Sequence, residues 1–444
     1  MSIYLIDKKN AANKIQSLSD EFVLIENPEF IYPPFEIIPL TKKIYFPEKL
    51  IAAVMDMDGT TTTTEELCIE SLELMIRKMS GLIIKEQWKG LDHHKDYPNI
   101  IGNSTTKHIE YLINTYRFLI NDEISLKSFI EAIYWTIKEG KSEQRKNEVE
   151  DLLRSFELIE TFNELIQTNE SSHSISNDKE IINLFSSKIN LKDQSNLIKI
   201  GIEIYYQHYH QYLLSLSNDK NLSSSKKLIE PLPGLAIFLA LIKGLLGEEA
   251  EKVTETLIND FRRKNPETEF DFDSDKFHLT LKTLGIHFEK YPLKVAVVTS
   301  SIFYEADIVL AEVFKQMRME IETWKISNTR KFKILDSFSS YKNYYDAIIT
   351  ASDAYEFRLK PHRDLYSIAL YRLGISKENF DKVIGFEDSQ SGTIAIRAAG
   401  IGCCIAVPFP QTKDHNLQAA SYVLWNGLPE FILKHKCLII RDSQ

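Results

Sequence analysis

Five short apolar runs rich in β-branched residues constrain this chain more than any other feature: Leu50 to Val54, Lys294 to Val298, Ala347 to Thr350, Val383 to Phe386 and Cys404 to Val407. Runs of this length read as strands buried on both faces, and the later ones alternate with helical patterns. Those patterns include "YEADIVLAEVFKQM", "RDLYSIALYRLG" closed by Gly374, and "SGTIAIRAAG" closed by Gly400. Strand and helix in alternation imply βα units, so the expected fold is α/β with a doubly wound parallel sheet. In such sheets ligands bind outside the carboxyl ends of the strands.

The chain is too long for that sheet alone. Its 444 residues exceed the roughly 250 to 300 that one core supports. More than 200 residues separate the first run from the second, and helical periodicity dominates them, as in "IEYLINTYRFLI", "LKSFIEAIYWTIKEG" and "IKIGIEIYYQHYHQYLL". The expected organisation is an α/β core at 50–64 and 229–444, a helical domain at 65–228 inserted after the first strand, and a charged insert at about 245–291. Two polar stretches, "NESSHSISNDKE" and "SLSNDKNLSSSKK", read as exposed loops. Residues 1–49 carry Pro28, Pro33, Pro34, Pro39 and the alternating "FEIIPL", which suggests extended structure packed on the core.

Composition excludes more than it assigns. A net charge of -10 argues against a nucleic-acid surface. Neither a signal-peptide pattern in "MSIYLIDKKNAANK" nor an apolar window of membrane-spanning length is found, so the expectation is a cytoplasmic protein without a membrane partner. Cys68, Cys403, Cys404 and Cys437 lack the spacing of a zinc site or a disulfide framework, and Cys403 and Cys404 in "IGCCIAVP" read as buried strand residues. The histidines of "HHKD" and "HYHQY" offer no closed zinc ligand set.

Chemistry concentrates where the strands end. The first run leads into Asp56, Met57, Asp58, Gly59 and Thr60, the second into Thr299, Ser300 and Ser301, and the fourth into Glu387 to Gly392, while Lys360 precedes Pro361 after the third. Alone, D-x-D-G would equally suit a solvated turn. A calcium loop starting at Asp56 fails, because Thr61 stands where it needs glycine and Leu67 where it needs a bidentate glutamate.

Together, the four clusters resemble the haloacid dehalogenase (HAD) superfamily of aspartate-nucleophile phosphotransferases, and within it the β-phosphoglucomutase-like phosphatase branch. Its pattern of D-x-D-G-T, a strand-end Thr or Ser, K-P-x-x-D and E-D-S-x-x-G is matched by Asp56 to Thr60, Thr299, Lys360 to Asp364 and Glu387 to Gly392. The resemblance covers about 50–64 and 230–436, and implies a Rossmann-type core with a cap domain at the helical block. Family members often continue D-G-T with apolar residues and then Asp, whereas this chain has Thr61, Thr62 and Thr63, expected to form a short extended flap.

The resemblance implies a role for each position. Asp56 would attack phosphorus, and Asp58 would protonate the leaving oxygen and later take a proton from water. Thr299 and Lys360 would bind phosphoryl oxygens, Lys360 also offsetting the charge of Asp56. Carboxylates gathered at Asp56, Glu387 and Asp388 repel one another unless a hard cation relieves them, so Mg²⁺ is the expected cofactor. Its ligands would be Asp56, Asp388 and the main-chain carbonyl of Asp58, with Glu387 acting through water. Ser300, for which helix capping is the other reading, and Ser104 and Lys107 in "YPNIIGNSTTKHIEYL" are the further candidate substrate contacts. The expected activity is Mg²⁺-dependent hydrolysis of a small phosphorylated metabolite such as a sugar phosphate. Two alternatives stand beside it: a sugar-phosphate mutase using the same residues, and a non-catalytic HAD-fold regulatory protein binding a protein partner through its inserts.

Overall fold

The computed structural model describes residues 5–27, 31–84, 86–101, 104–168, 175–217, 227–264, 274–355, 358–408, 412, 414–434 and 438. The chain divides into two compact units, one formed by Met1–Thr63 with Ile229–Gln444 and the other by Thr64–Leu228.

The first unit is built on six parallel strands: β3 (Ala52–Asp56), β4 (Lys294–Val298), β5 (Ala347–Ile349), β6 (Val383–Glu387), β7 (Cys403–Ala406) and β8 (Tyr422–Val423). They follow β1 (Glu21–Glu26) and β2 (Phe35–Leu40), which pair antiparallel as a separate hairpin. The large sheet runs β5-β4-β3-β6-β7-β8. Chain order therefore reverses at β3, where Ala52 pairs with Lys294 on one side and Val383 on the other. That reversal opens the crevice in which doubly wound sheets bind ligands.

Both faces of the sheet are covered, which explains its unbroken apolar runs. One face packs Ala52, Val54, Ala296, Val298, Ile349 and Val383 against Leu365, Tyr366, Ala369 and Leu370 of the helix Asp364–Arg372 and against Ala395 and Ile396 of the helix Gln390–Ala398. On the opposite face Phe386 stacks edge-on with Phe238 and Phe431, from the helices Leu235–Ile242 and Gly427–Lys434. Every residue of Leu235–Ile242 is buried.

The expected strands appear, most with ends shifted by one or two residues, and one further strand joins them. The first spans Ala52–Asp56, two residues later than its apolar run, although Ile51 before it already bonds both neighbours, its amide to Lys382 O and its carbonyl to Lys294 N (both 3.0 Å). β8, two residues long, is too short to leave a periodic signal. Cys403 and Cys404 are buried, unbridged strand residues, while Cys437 lies outside the described residues.

The second unit is helical. Glu65–Ser80, Thr105–Tyr116, Asp122–Lys138 and Gln194–Ser217 pack on one another, and the unit also holds Tyr97–Ile100, Glu143–Ser155, Ile159–Thr168 and Lys179–Lys188. Its core includes Phe129, Phe162 and Phe185 in edge-on contact. Most of the two polar stretches expected as loops lies outside the described residues. Among the described residues no helix is long and apolar enough to cross a membrane.

Candidate active site

β3 carries Asp56 to the carboxyl edge of the sheet at the point where strand order reverses. The four residues before it are wholly inaccessible, and Asp56 itself is 3% exposed. Met57 continues the ladder by donating to Val298 O (3.2 Å), after which the chain turns sharply. Thr61 and Thr62 both return their amides to Met57 O, and the Thr61 hydroxyl donates to the same oxygen at 2.9 Å. Gly59, at φ +79°, makes this turn possible. A Cβ there would lie 2.4 Å from Asp388 Oδ2, so only glycine lets the loop approach Asp388 this closely.

The threonine run is not a free flap. Thr63 N donates to Glu230 O and Leu232 N to Thr61 O (both 3.0 Å), while the Thr63 hydroxyl accepts from Glu230 N (2.9 Å). The outgoing strand end is thus paired with the returning chain, and Thr60, Thr61 and Thr62 are buried.

Lys360 meets Asp56 Oδ1 directly and lies 2.7 Å from Glu387 Oε1. Glu387 closes β6 and is fully buried. Its carboxylate accepts from five donors: Lys360 and the Tyr366 hydroxyl (3.0 Å) on Oε1, and the Asp388 amide, the Ser389 amide and the Ser389 hydroxyl (3.0 to 3.1 Å) on Oε2. Ser389 also caps the following helix through Gly392 N. At Gly392 a Cβ would fall 1.7 Å from Glu387 Oε1, so glycine is required to seat this carboxylate.

Burial and charge then set the protonation of this group. Burial first, and the Glu387 charge second, push the Asp56 carboxyl well up against the opposing pull of Lys360. Burial also works to raise Glu387, but the Lys360 charge and the hydrogen bonds from Lys360 and Ser389 outweigh it, and the net direction is down. Lys360 is held protonated above the ordinary lysine range, its two carboxylate partners overcoming the penalty of burial. One ammonium thus pairs with two buried carboxylates, Asp56 and Glu387, and the buried Asp388 places an oxygen close to both of them.

Asp58, two residues beyond Asp56, accepts the Thr299 hydroxyl at 2.7 Å and the Ser301 hydroxyl at 3.2 Å on the same oxygen, Oδ2. Thr299 follows β4 and holds register by donating its amide to Ile349 O, and its hydroxyl also accepts from Ser301 N (2.9 Å). The Thr299 hydroxyl, expected on phosphoryl oxygens, is here turned to Asp58. Ser300 lies beside it, partly exposed. Neither Ser300 nor Ser301 caps the next helix, whose N-cap is Ile302.

Asp56, Glu387 and Asp388 each place one oxygen within 4.8 Å of the others, and among the described residues this is the one such group able to hold a metal. The donor set, all carboxylate oxygen, suits a hard divalent cation. The five donors on Glu387 engage both of its oxygens, which leaves Asp56 and Asp388 as the carboxylates suited to direct ligation and Glu387 to an indirect role.

Ser104 and Lys107 belong to the helical unit. Ser104 is the N-cap of Thr105–Tyr116 without a side-chain capping bond, and Lys107 is exposed. Gly102 and Asn103 lie outside the described residues. In the sequence Tyr366 is an aromatic on an apolar helical pattern that reads as core, and nothing there marks Ser301 as a partner of Asp58.

No family model matches the chain, and no curated protein matches it. Solved structures similar to it include CbbY from Rhodobacter sphaeroides in complex with phosphate, at 12% identity and a TM-score of 0.40, covering 86% of this chain and 96% of that one. A β-phosphoglucomutase from Clostridium difficile is similar at 14% identity and a TM-score of 0.30, covering 84% and 90%. A HAD family hydrolase from Deinococcus radiodurans R1 with bound phosphate and sodium is similar at 12% identity and a TM-score of 0.35, covering 85% and 91%.

Proposed function

We propose that this chain is a HAD-type phosphatase that hydrolyses a small phosphorylated metabolite, such as a sugar phosphate, through an aspartyl-phosphate intermediate. One observation carries the reading: a lysine shared by two buried carboxylates, Asp56 and Glu387, with a second strand-end aspartate, Asp58, held by two hydroxyls. A fold-retaining scaffold has no use for a buried carboxylate cluster with excess negative charge.

In this reading Asp56 forms the new bond to phosphorus as the ester P–O bond breaks, and Asp58 delivers a proton to the departing oxygen. Water then attacks the aspartyl phosphate, Asp58 takes its proton, and the bond to Asp56 breaks to release phosphate. Thr299 and Ser301 hold Asp58 in place for both transfers. Lys360 offsets the charge of Asp56 and of the phosphoryl group. When bound, Mg²⁺ held by Asp56, Asp388 and the Asp58 carbonyl supplies the remaining positive charge that phosphoryl oxygens require.

The helical unit is read as a cap that selects the substrate, with Ser104, Lys107 and, from the sheet unit, Ser300 as proposed substrate contacts. The test is phosphate release from sugar phosphates, nucleotides and phosphonates, with and without Mg²⁺, against Asp56→Asn. Metal-dependent release by the wild type alone is expected. Equal rates for both proteins on every compound would overturn the reading, and a stoichiometric need for a sugar bisphosphate would redirect it to a mutase.

A further inference from the structure

We infer that the N-terminal hairpin β1–β2 is a strut for the loop that presents Lys360, with Glu36 as its positioning residue; that Lys360 serves catalysis rests on the phosphatase reading above. A lysine side chain has four rotatable carbon bonds, so keeping its ammonium on one carboxylate oxygen needs a backbone fixed from outside. The segment 358–363 lies between β5 and the helix Asp364–Arg372 and has no strand partner of its own.

Arg358 ties that segment to itself. Its Nε and Nη2 each lie 2.9 Å from the two carboxylate oxygens of Asp364, so one guanidinium spans the loop on either side of Lys360. Its remaining nitrogen, Nη1, reaches Glu36 Oε2 on β2 at 3.3 Å. His362, also in the loop and 6% exposed, turns Nε2 to the same Glu36 oxygen at 4.0 Å, while its Nδ1 is 3.2 Å from Leu359 O. Among the described residues His362 Nε2 has no hydrogen-bond partner. A loop guanidinium and a loop imidazole therefore converge on one carboxylate of the extension.

The hairpin is itself anchored. Ile25, Ile38 and Leu40 pack on Ala398 of the helix Gln390–Ala398. From that same helix the fully buried Arg397 donates to Thr41 O (2.6 Å) and Ala419 O (2.8 Å) and pairs with Glu21. This helix starts beside Glu387, the second carboxylate of Lys360, so the hairpin ties both partners of that contact to one support. Alternation places Glu36 on the face of Ile38 and Leu40. It is thus a charged residue on the hairpin's inward face, where packing alone would call for an apolar one. At 34% and 26% side-chain exposure the Glu36 and Arg358 pair adds little to stability. Geometry is what it supplies.

The full chain tests this with Glu36→Gln, Arg358→Gln and the double variant. Amide hydrogen exchange read by mass spectrometry should speed up several-fold across 358–366 in Glu36→Gln, with 383–398 and the thermal midpoint little changed. On the ester found active in the phosphate-release panel, kcat should fall on the order of 10-fold with KM nearly constant. Glu36→Asp should recover most of the rate, and the double variant should be no slower than Arg358→Gln alone. Unchanged exchange across 358–366 in Glu36→Gln, or rate losses that multiply in the double variant, would overturn the strut. If the wild type hydrolyses no ester, the phosphatase reading fails and the exchange measurement still decides the strut.

Discussion

Asp56 and Glu387 have the same charged group and the same lysine, yet burial and partners push them in opposite directions. Glu387 has five donors, while Asp56 accepts its side-chain hydrogen bond from Lys360. The carboxylate with fewer donors is the one suited to attack, since hydrogen bonds that stabilise an anion also dull it as a nucleophile. Removing the shared cation should therefore be felt by the fold. Lys360→Met is expected to cost about 3 kcal/mol or more in urea unfolding without metal, because two buried carboxylates lose their counter-charge. At Asp58 the expected pattern differs. Asp58→Asn keeps the shape and the main-chain carbonyl, so phosphate release should slow by about 10² or more while Mg²⁺ affinity by calorimetry stays nearly intact. A large loss of affinity would show that Asp58 acts on the metal and not on protons. Tyr366 was illegible in the sequence for a physical reason. On the pattern "RDLYSIALYRLG" its ring belongs to the core, as it does, and only the folded chain puts its hydroxyl on Glu387.

Elements deliver these residues by how they end. β3, β4 and β6 each stop at a polar cluster, and the turn after β3 closes on Met57 O through four hydrogen bonds, from the backbone amides and the side-chain hydroxyls of Thr61 and Thr62. The threonines that depart from the family pattern are thus spent on the turn and on pairing with Glu230 and Leu232. At the start of the helix Gln390–Ala398, Gly392→Ala would drive a methyl group into Glu387, so a loss of about 1–3 kcal/mol is expected in denaturant unfolding. A second element-level effect sits far from the site. Glu320, on the helix Phe303–Thr323, is pushed up to about 7, by burial first and the Asp260 charge second, against smaller lowering effects of Trp324 and Arg263. Its Oε1 has no hydrogen-bond partner among the described residues. A raised acid holds its proton in the folded state after the unfolded chain has lost it, so stability falls as pH rises from about 4.5 to 7 and is level above that. Glu320→Gln should therefore stabilise the fold at pH 8 by an amount on the order of 3 kcal/mol, read as a higher thermal midpoint, and change it little at pH 4. A midpoint that moves equally at both pH values would point to packing instead of ionisation.

The whole molecule holds two cores, a sheet sandwiched between helices and a helical unit centred on residues such as Phe129, Phe162 and Phe185. Separate cores favour separate transitions. Phe185→Ala should lower the helical unit's calorimetric transition by about 3–5 kcal/mol and leave the other in place; a single transition shifted as a whole would show that the two units unfold together. Much of this architecture was legible before folding. Short apolar runs rich in β-branched residues read as interior strands, the helical periodicity between the first two calls for its own core, and polar clusters at strand ends point to the sheet's carboxyl edge. These are properties of local pattern, which the hydrophobic effect reads almost without regard to context. What local pattern could not supply is partnership. That Thr299 turns its hydroxyl to Asp58, that Glu387 is saturated by donors from three stretches of chain, and that Glu36 reaches Arg358 across more than 300 residues are decided by which surfaces meet. A hydrogen bond acts over about 3 Å and leaves no periodic trace along the chain, so only the tertiary structure could assign it.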